Sequence, residues 1–113
     1  MRKTVHKLEK VMKPIYKRIL LKLSGEGLMG DKNFGMSAEV IQRLAGQIKE
    51  VHDNGVQICL VIGGGNFWRG RSADSKMDRT KADQIGMLAT VMNAIYVADA
   101  FRQNGIKAFV QTP

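Results

Sequence analysis

Phosphate chemistry needs backbone amides and cations converging on one spot, and two glycine-bearing segments of this sequence carry both. The first is Ser24-Gly25-Glu26-Gly27, with Lys22 just before it; the second is Gly63-Gly64-Gly65-Asn66, with Arg69 just after it. Glycine, lacking Cβ, lets peptide N–H groups approach phosphate oxygens closely. Lys22 adds a mobile point charge and Arg69 a planar fork. Neither segment is a Walker A loop, which needs Gly-Lys-Ser/Thr, and neither is a G-x-G-x-x-G fingerprint. Singly, each piece has an ordinary structural reading: a triple glycine as a tight turn, a strand-end lysine as a solvated edge residue, an arginine as a surface cation. Their combination is what points to phosphate.

The elements around these segments say how they come together. Tyr16–Leu23 (YKRILLKL) has the aliphatic cluster of a mostly buried strand with turn residues behind it, and Val56–Ile62 (VQICLVI) is a second such run, ending in the triple glycine. Gly25 to Gly35 is polar and glycine-rich, and reads as a loop. Ser37 is a helix N-cap, and Val40, Ile41, Leu44, Ala45, Ile48 and Val51 give the following helix one apolar face, closed by Asn54-Gly55. A second helix is expected from about Asp78 to Arg102, stopped by Asn104-Gly105, with Ile106–Val110 (IKAFV) as a third strand. Strands alternating with helices predict an α/β domain, three-layer αβα, with a mainly parallel sheet. In such a sheet the loops after the strands gather along one edge, where ligands bind. The second helix is apolar around nearly its whole circumference, so it must be covered on more than one side, by further chain or by a second subunit.

Composition narrows the classes. The formal charge is +8, but residues 1–22 hold eight Lys/Arg against Glu9 (8 − 1 = +7), and the remainder ten against nine acids (10 − 9 = +1). The basic character is an N-terminal arm, Met1–Lys13, set off by Pro14, so nucleic acid is not the expected partner. Val5, Leu8 and Met12 give that arm helical spacing. Cys59 sits in an apolar run and is expected to be buried; as the single cysteine it forms no internal disulfide. His6 and His52 belong to no metal or nucleophile pattern, and Phe67 and Trp68 are expected to pack over the sheet edge. No stretch reads as a transmembrane helix or secretory signal, so a cytoplasmic location is the default expectation and no membrane partner is expected.

Three strings carry a resemblance. Lys13–Glu26 (KPIYKRILLKLSGE) resembles the opening of bacterial UMP kinases of the amino-acid-kinase fold family; Val61–Gly70 (VIGGGNFWRG) resembles their second loop; Asp83 followed by Gly86–Asn93 (GMLATVMN) resembles the helix after it. The matches come in family order and span about Pro14 to Pro113, the N-terminal portion of the kinase domain.

The resemblance implies transfer of the γ-phosphoryl group of ATP to UMP, with Mg²⁺ accompanying ATP and no metal ligand in this portion. It assigns Lys22, Leu23, Ser24, Gly25, Gly65 and Arg69 to ATP, with Lys22 and Arg69 beside the transferring group. It assigns Gly64 and Asp83 to UMP, Asp83 accepting hydrogen bonds from the nucleoside. Gly30, Asp31, Lys32, Asn33, Phe34 and Gly35 match a region linked to activation by GTP, and a homo-oligomer, a hexamer of dimers, is the expected assembly. Without the resemblance, Asp83 reads as an acid favoured early in a helix by the dipole. The family is about twice as long, and the chain stops at Gln111-Thr112-Pro113 after a strand. It therefore reads as an N-terminal half with little expected activity alone; the alternative is a catalytically silent nucleotide-binding or interaction fragment.

Overall fold

A computed structural model describes residues 15–68 and 76–111. The basic arm Met1–Lys13, Arg69 and most of the segment after it lie outside these residues. The order is β1 (Arg18–Leu23), a single 3₁₀ turn (Gly25–Leu28), α1 (Ala38–Asp53), β2 (Gln57–Ile62) and α2 (Arg79–Gln103). The strands pair in parallel, joined by α1 as the crossover, from Arg18 opposite Gln57 to Leu23 opposite Ile62.

Local chemistry sets the helix ends. Ser37 Oγ accepts from the Val40 N–H, and Asp78 caps α2 through Thr80 N–H. At the far end of α2, Gly105 takes φ +80. Its N–H donates to Arg102 O while Ile106 N–H donates to Phe101 O, a Schellman closure in which the buried Phe101 and Ile106 supply the apolar contact. Gly55, at φ +88, makes the corresponding turn after α1.

The core lies between the sheet and the two helices. Ile41 and Ile48 of α1 cluster with Val97 and Phe101 of α2, with Leu28 and Ile62, and with half-buried Leu21, Leu23, Ile58 and Leu60. The opposite sheet face is open: Leu20 is 71% and Val61 49% exposed. The described residues thus supply two of the three layers of the α/β fold.

Four expectations need correction. Cys59 is exposed, because its side chain falls on the open sheet face rather than on the helix side. Residues 106–110 form no ladder. Ala108 O instead accepts from Arg102 Nε and Nη2, at 3.0 and 2.8 Å, and an apolar cavity lined by Ile58, Leu60, Ala108 and Val110 lies between this segment and β2. The stretch read as loop from Gly25 contains the 3₁₀ turn, capped by Ser24 Oγ on the Gly27 N–H. Finally, α2 is long and apolar enough, by length and composition, to cross a membrane. Its inner side carries the buried Asn93 and packs on α1 and β2 as a core helix does.

Candidate phosphate-binding site

Register brings the two glycine loops together. Leu23 pairs with Ile62 at the last rung, and Gly63 N–H donates to Leu23 O at 3.0 Å, so both loops leave the sheet at one level from neighbouring strands. They then touch. A Cβ built on Gly25 would stand 2.6 Å from Asn66 Oδ1, 2.7 Å from Gly65 N and 2.8 Å from Gly63 O. No side chain fits in that space, so glycine here is a requirement of close approach.

Gly64 rests on α2. Its own Cβ would meet Ala89 Cβ at 2.9 Å, Thr90 N at 3.0 Å and Gly86 O at 3.1 Å, so the small residues of the α2 string accept the loop. Gly64 O then accepts the N–H groups of Phe67 and Trp68, both at 3.0 Å, closing the turn. Among the described residues no backbone hydrogen bond uses the Gly64 or Gly65 N–H. Lys22, exposed at the end of β1, lines an open cavity with Leu23, Ser24, Gly27 and Arg43. Asp83 is exposed one turn before Gly86 on α2. The arrangement offers amides from two strand ends, which suits an anionic group; Lys22 lines a cavity on the α1 side, and the side chain against Gly65 is that of Glu26.

The segment 30–35 is fastened to the same place. Gly35 N–H donates to Asn66 O at 3.0 Å, and Asn66 Nδ2 donates back to Gly35 O at 3.0 Å. Phe34 meets Phe67 edge-on, ring centroids 5.3 Å apart. Trp68 Nε1 donates to Ala82 O at 2.9 Å, so both aromatics pack, as their position by the sheet edge predicted. The structure brings Gly25 against Gly63, Gly65 and Asn66; sequence reading named Asn66 in the second glycine segment and Asn93 in the α2 string but gave neither amide a role. The signal was an amide set in the apolar α2 and another directly after the triple glycine. Among the described residues no three His, Cys, Asp or Glu side chains are grouped as a metal site would need.

Comparison with known proteins gives this geometry a family. The amino acid kinase family matches residues 17–113. This chain belongs to the amino acid kinase family. Two crystal structures of UMP kinases resemble this family member closely. The Bacillus anthracis enzyme superposes with a TM-score of 0.72 at 35% identity, covering 78% of this chain and 36% of that one. The Ureaplasma parvum enzyme superposes with a TM-score of 0.72 at 34% identity, covering 80% and 40%. This amino acid kinase chain thus spans well under half the length of the UMP kinases it matches.

Proposed function

We propose that this chain is the N-terminal, phosphate-gripping part of a UMP kinase, which passes the γ-phosphoryl group of ATP to UMP. One observation carries the reading: the loops after β1 and β2 meet at Gly25, with the N–H groups of Gly64 and Gly65 outside the backbone hydrogen-bond network of the described residues. The UMP kinases of B. anthracis and U. parvum, at 35% and 34% identity, support UMP as the acceptor.

Phosphoryl transfer asks a protein chiefly to position groups and neutralise charge. In this reading Lys22, Leu23, Ser24, Gly25, Gly65 and Arg69 hold ATP, Lys22 and Arg69 flank the transferred group, and Gly64 and Asp83 hold UMP. Asp83, a carboxylate, faces the nucleoside rather than the phosphate, where like charges would repel. Mg²⁺ enters with ATP and offsets phosphate charge. The segment Gly30–Gly35 is the place where GTP would act, through its attachment to Asn66. A cytoplasmic homo-oligomer is the matching setting, with the exposed Met87, Leu88, Met92 and Ile95 of α2 as contact residues.

A second reading, nucleotide binding without turnover, is favoured by the open sheet face and by the coverage of 36% of the B. anthracis enzyme. Calorimetric titration of the 113-residue chain with ATP·Mg and with UMP, followed by chromatography of the mixed nucleotides for UDP, separates the two. Binding of both with UDP formed supports the kinase; binding without UDP supports the silent form; no binding of either contradicts both.

A further inference from the structure

The buried polar side chains among the described residues are Asn66 and Asn93, 2% and 0% exposed. They face each other: Asn66 Nδ2 donates to Asn93 Oδ1 at 3.0 Å, and Asn93 Nδ2 donates to Asn66 Oδ1 at 2.7 Å. Each amide also binds outside the pair. Asn93 Nδ2 donates to Gly63 O at 2.7 Å, and Asn66 Nδ2 to Gly35 O at 3.0 Å. Both Nδ2 groups make two bonds and both Oδ1 atoms accept, which offsets the cost of burying two amides.

A packing role alone would be met by two apolar side chains of similar volume. The placement asks for more. Every peptide here is trans, so carbonyl and N–H of one peptide plane point opposite ways. Drawing Gly63 O toward Asn93 therefore turns the Gly64 N–H away from α2. Asn66 Oδ1 is the atom nearest the missing Cβ of Gly25, so the same pair also sets the gap between the two loops.

We propose that Asn66 and Asn93 are positioning residues for phosphoryl transfer: Asn93 aims the Gly64 amide at substrate phosphate, and Asn66 couples that loop to Gly35. The proposal rests on the kinase reading above. The pair touches no substrate and acts through the loop it holds.

Asn93→Asp tests it, because aspartate keeps the shape and loses both donors. At pH 8 its carboxylate would face Gly63 O and Asn66 Oδ1, whereas protonation at lower pH restores one donor. Titration of the 113-residue chain with ATP·Mg and with UMP, at a temperature where circular dichroism reports the variant folded, is expected to give at least about tenfold weaker binding at pH 8. The ratio of variant to unaltered affinity should recover several-fold at pH 5.5. Ile41→Val, a core change remote from the pair, should track the unaltered chain within twofold at both pH values. A folded Asn93→Asp chain that binds like the unaltered one, or whose deficit is the same at both pH values, overturns the role of the pair and leaves the kinase reading intact. Absence of binding by the unaltered chain overturns both.

Should Asn93→Asp not fold, hydrogen exchange on the unaltered chain decides. UMP, the nucleotide assigned to Gly64, is expected to slow exchange of the Gly35 N–H, which donates to Asn66 O, together with that of Gly64. Protection at Gly64 with none at Gly35 overturns the coupling.

Discussion

Gly25 and Gly46 show how differently two glycines can be constrained. At Gly25, two of the atoms a Cβ would strike, Gly65 N and Gly63 O, are backbone and cannot swing aside. Gly25→Ala should push the loops apart, destabilise the chain by about 1–3 kcal/mol, and abolish measurable ATP·Mg binding. At Gly46, inside α1, a Cβ would meet nothing within 4 Å. Gly46→Ala should stabilise by about 0.5–1 kcal/mol, seen as a raised midpoint in urea unfolding with binding unchanged. Lys22→Met removes an exposed cation, so it should weaken ATP·Mg binding about tenfold or more without moving that midpoint. The sequence marked Gly25 and Gly63-Gly64-Gly65 as loop residues, since composition near a strand end is local information. It did not reveal that Gly25 abuts Asn66, because that contact depends on the rung at which Leu23 and Ile62 align.

Helices were read well and strands less so, for a physical reason. The apolar spacing and caps of α1 are properties of the segment itself, and Ile41, on that face, is fully buried. Ile41→Ala should cost about 2–5 kcal/mol, measured by the same denaturation. A strand needs a partner, and residues 106–110 have a strand-like sequence but no ladder to join, their Ala108 carbonyl being taken by Arg102. Cys59 was misread on the same ground: a continuous apolar run implies two covered faces, and here one is open. Cys59 should accordingly react fully with a thiol reagent in native buffer. Protection there would mean that another surface covers the sheet.

The open sheet face and the outer side of α2 lie on the same small molecule. Leu88 is 66% exposed, with Met87, Met92 and Ile95 also exposed, a patch of the kind that marks an interaction site. The uniform apolarity of α2 foretold this exposure; it could not say which side would face outward, because that depends on where Gly64 and Asn93 meet the glycine loop. If α2 is the oligomer contact, Leu88→Glu with Met92→Glu should lower the mass measured by light scattering at a given concentration, leaving circular dichroism unchanged.

The glycine loops at the ends of β1 and β2 are held to form a single phosphate cradle, and a ¹⁵N-labelled chain titrated with ATP·Mg reports on that directly. The amide resonances of Gly25 and Gly65, one from each loop, should move together and saturate at one nucleotide concentration. Shifts confined to one of the two loops, or absent from both while other residues respond, would contradict it.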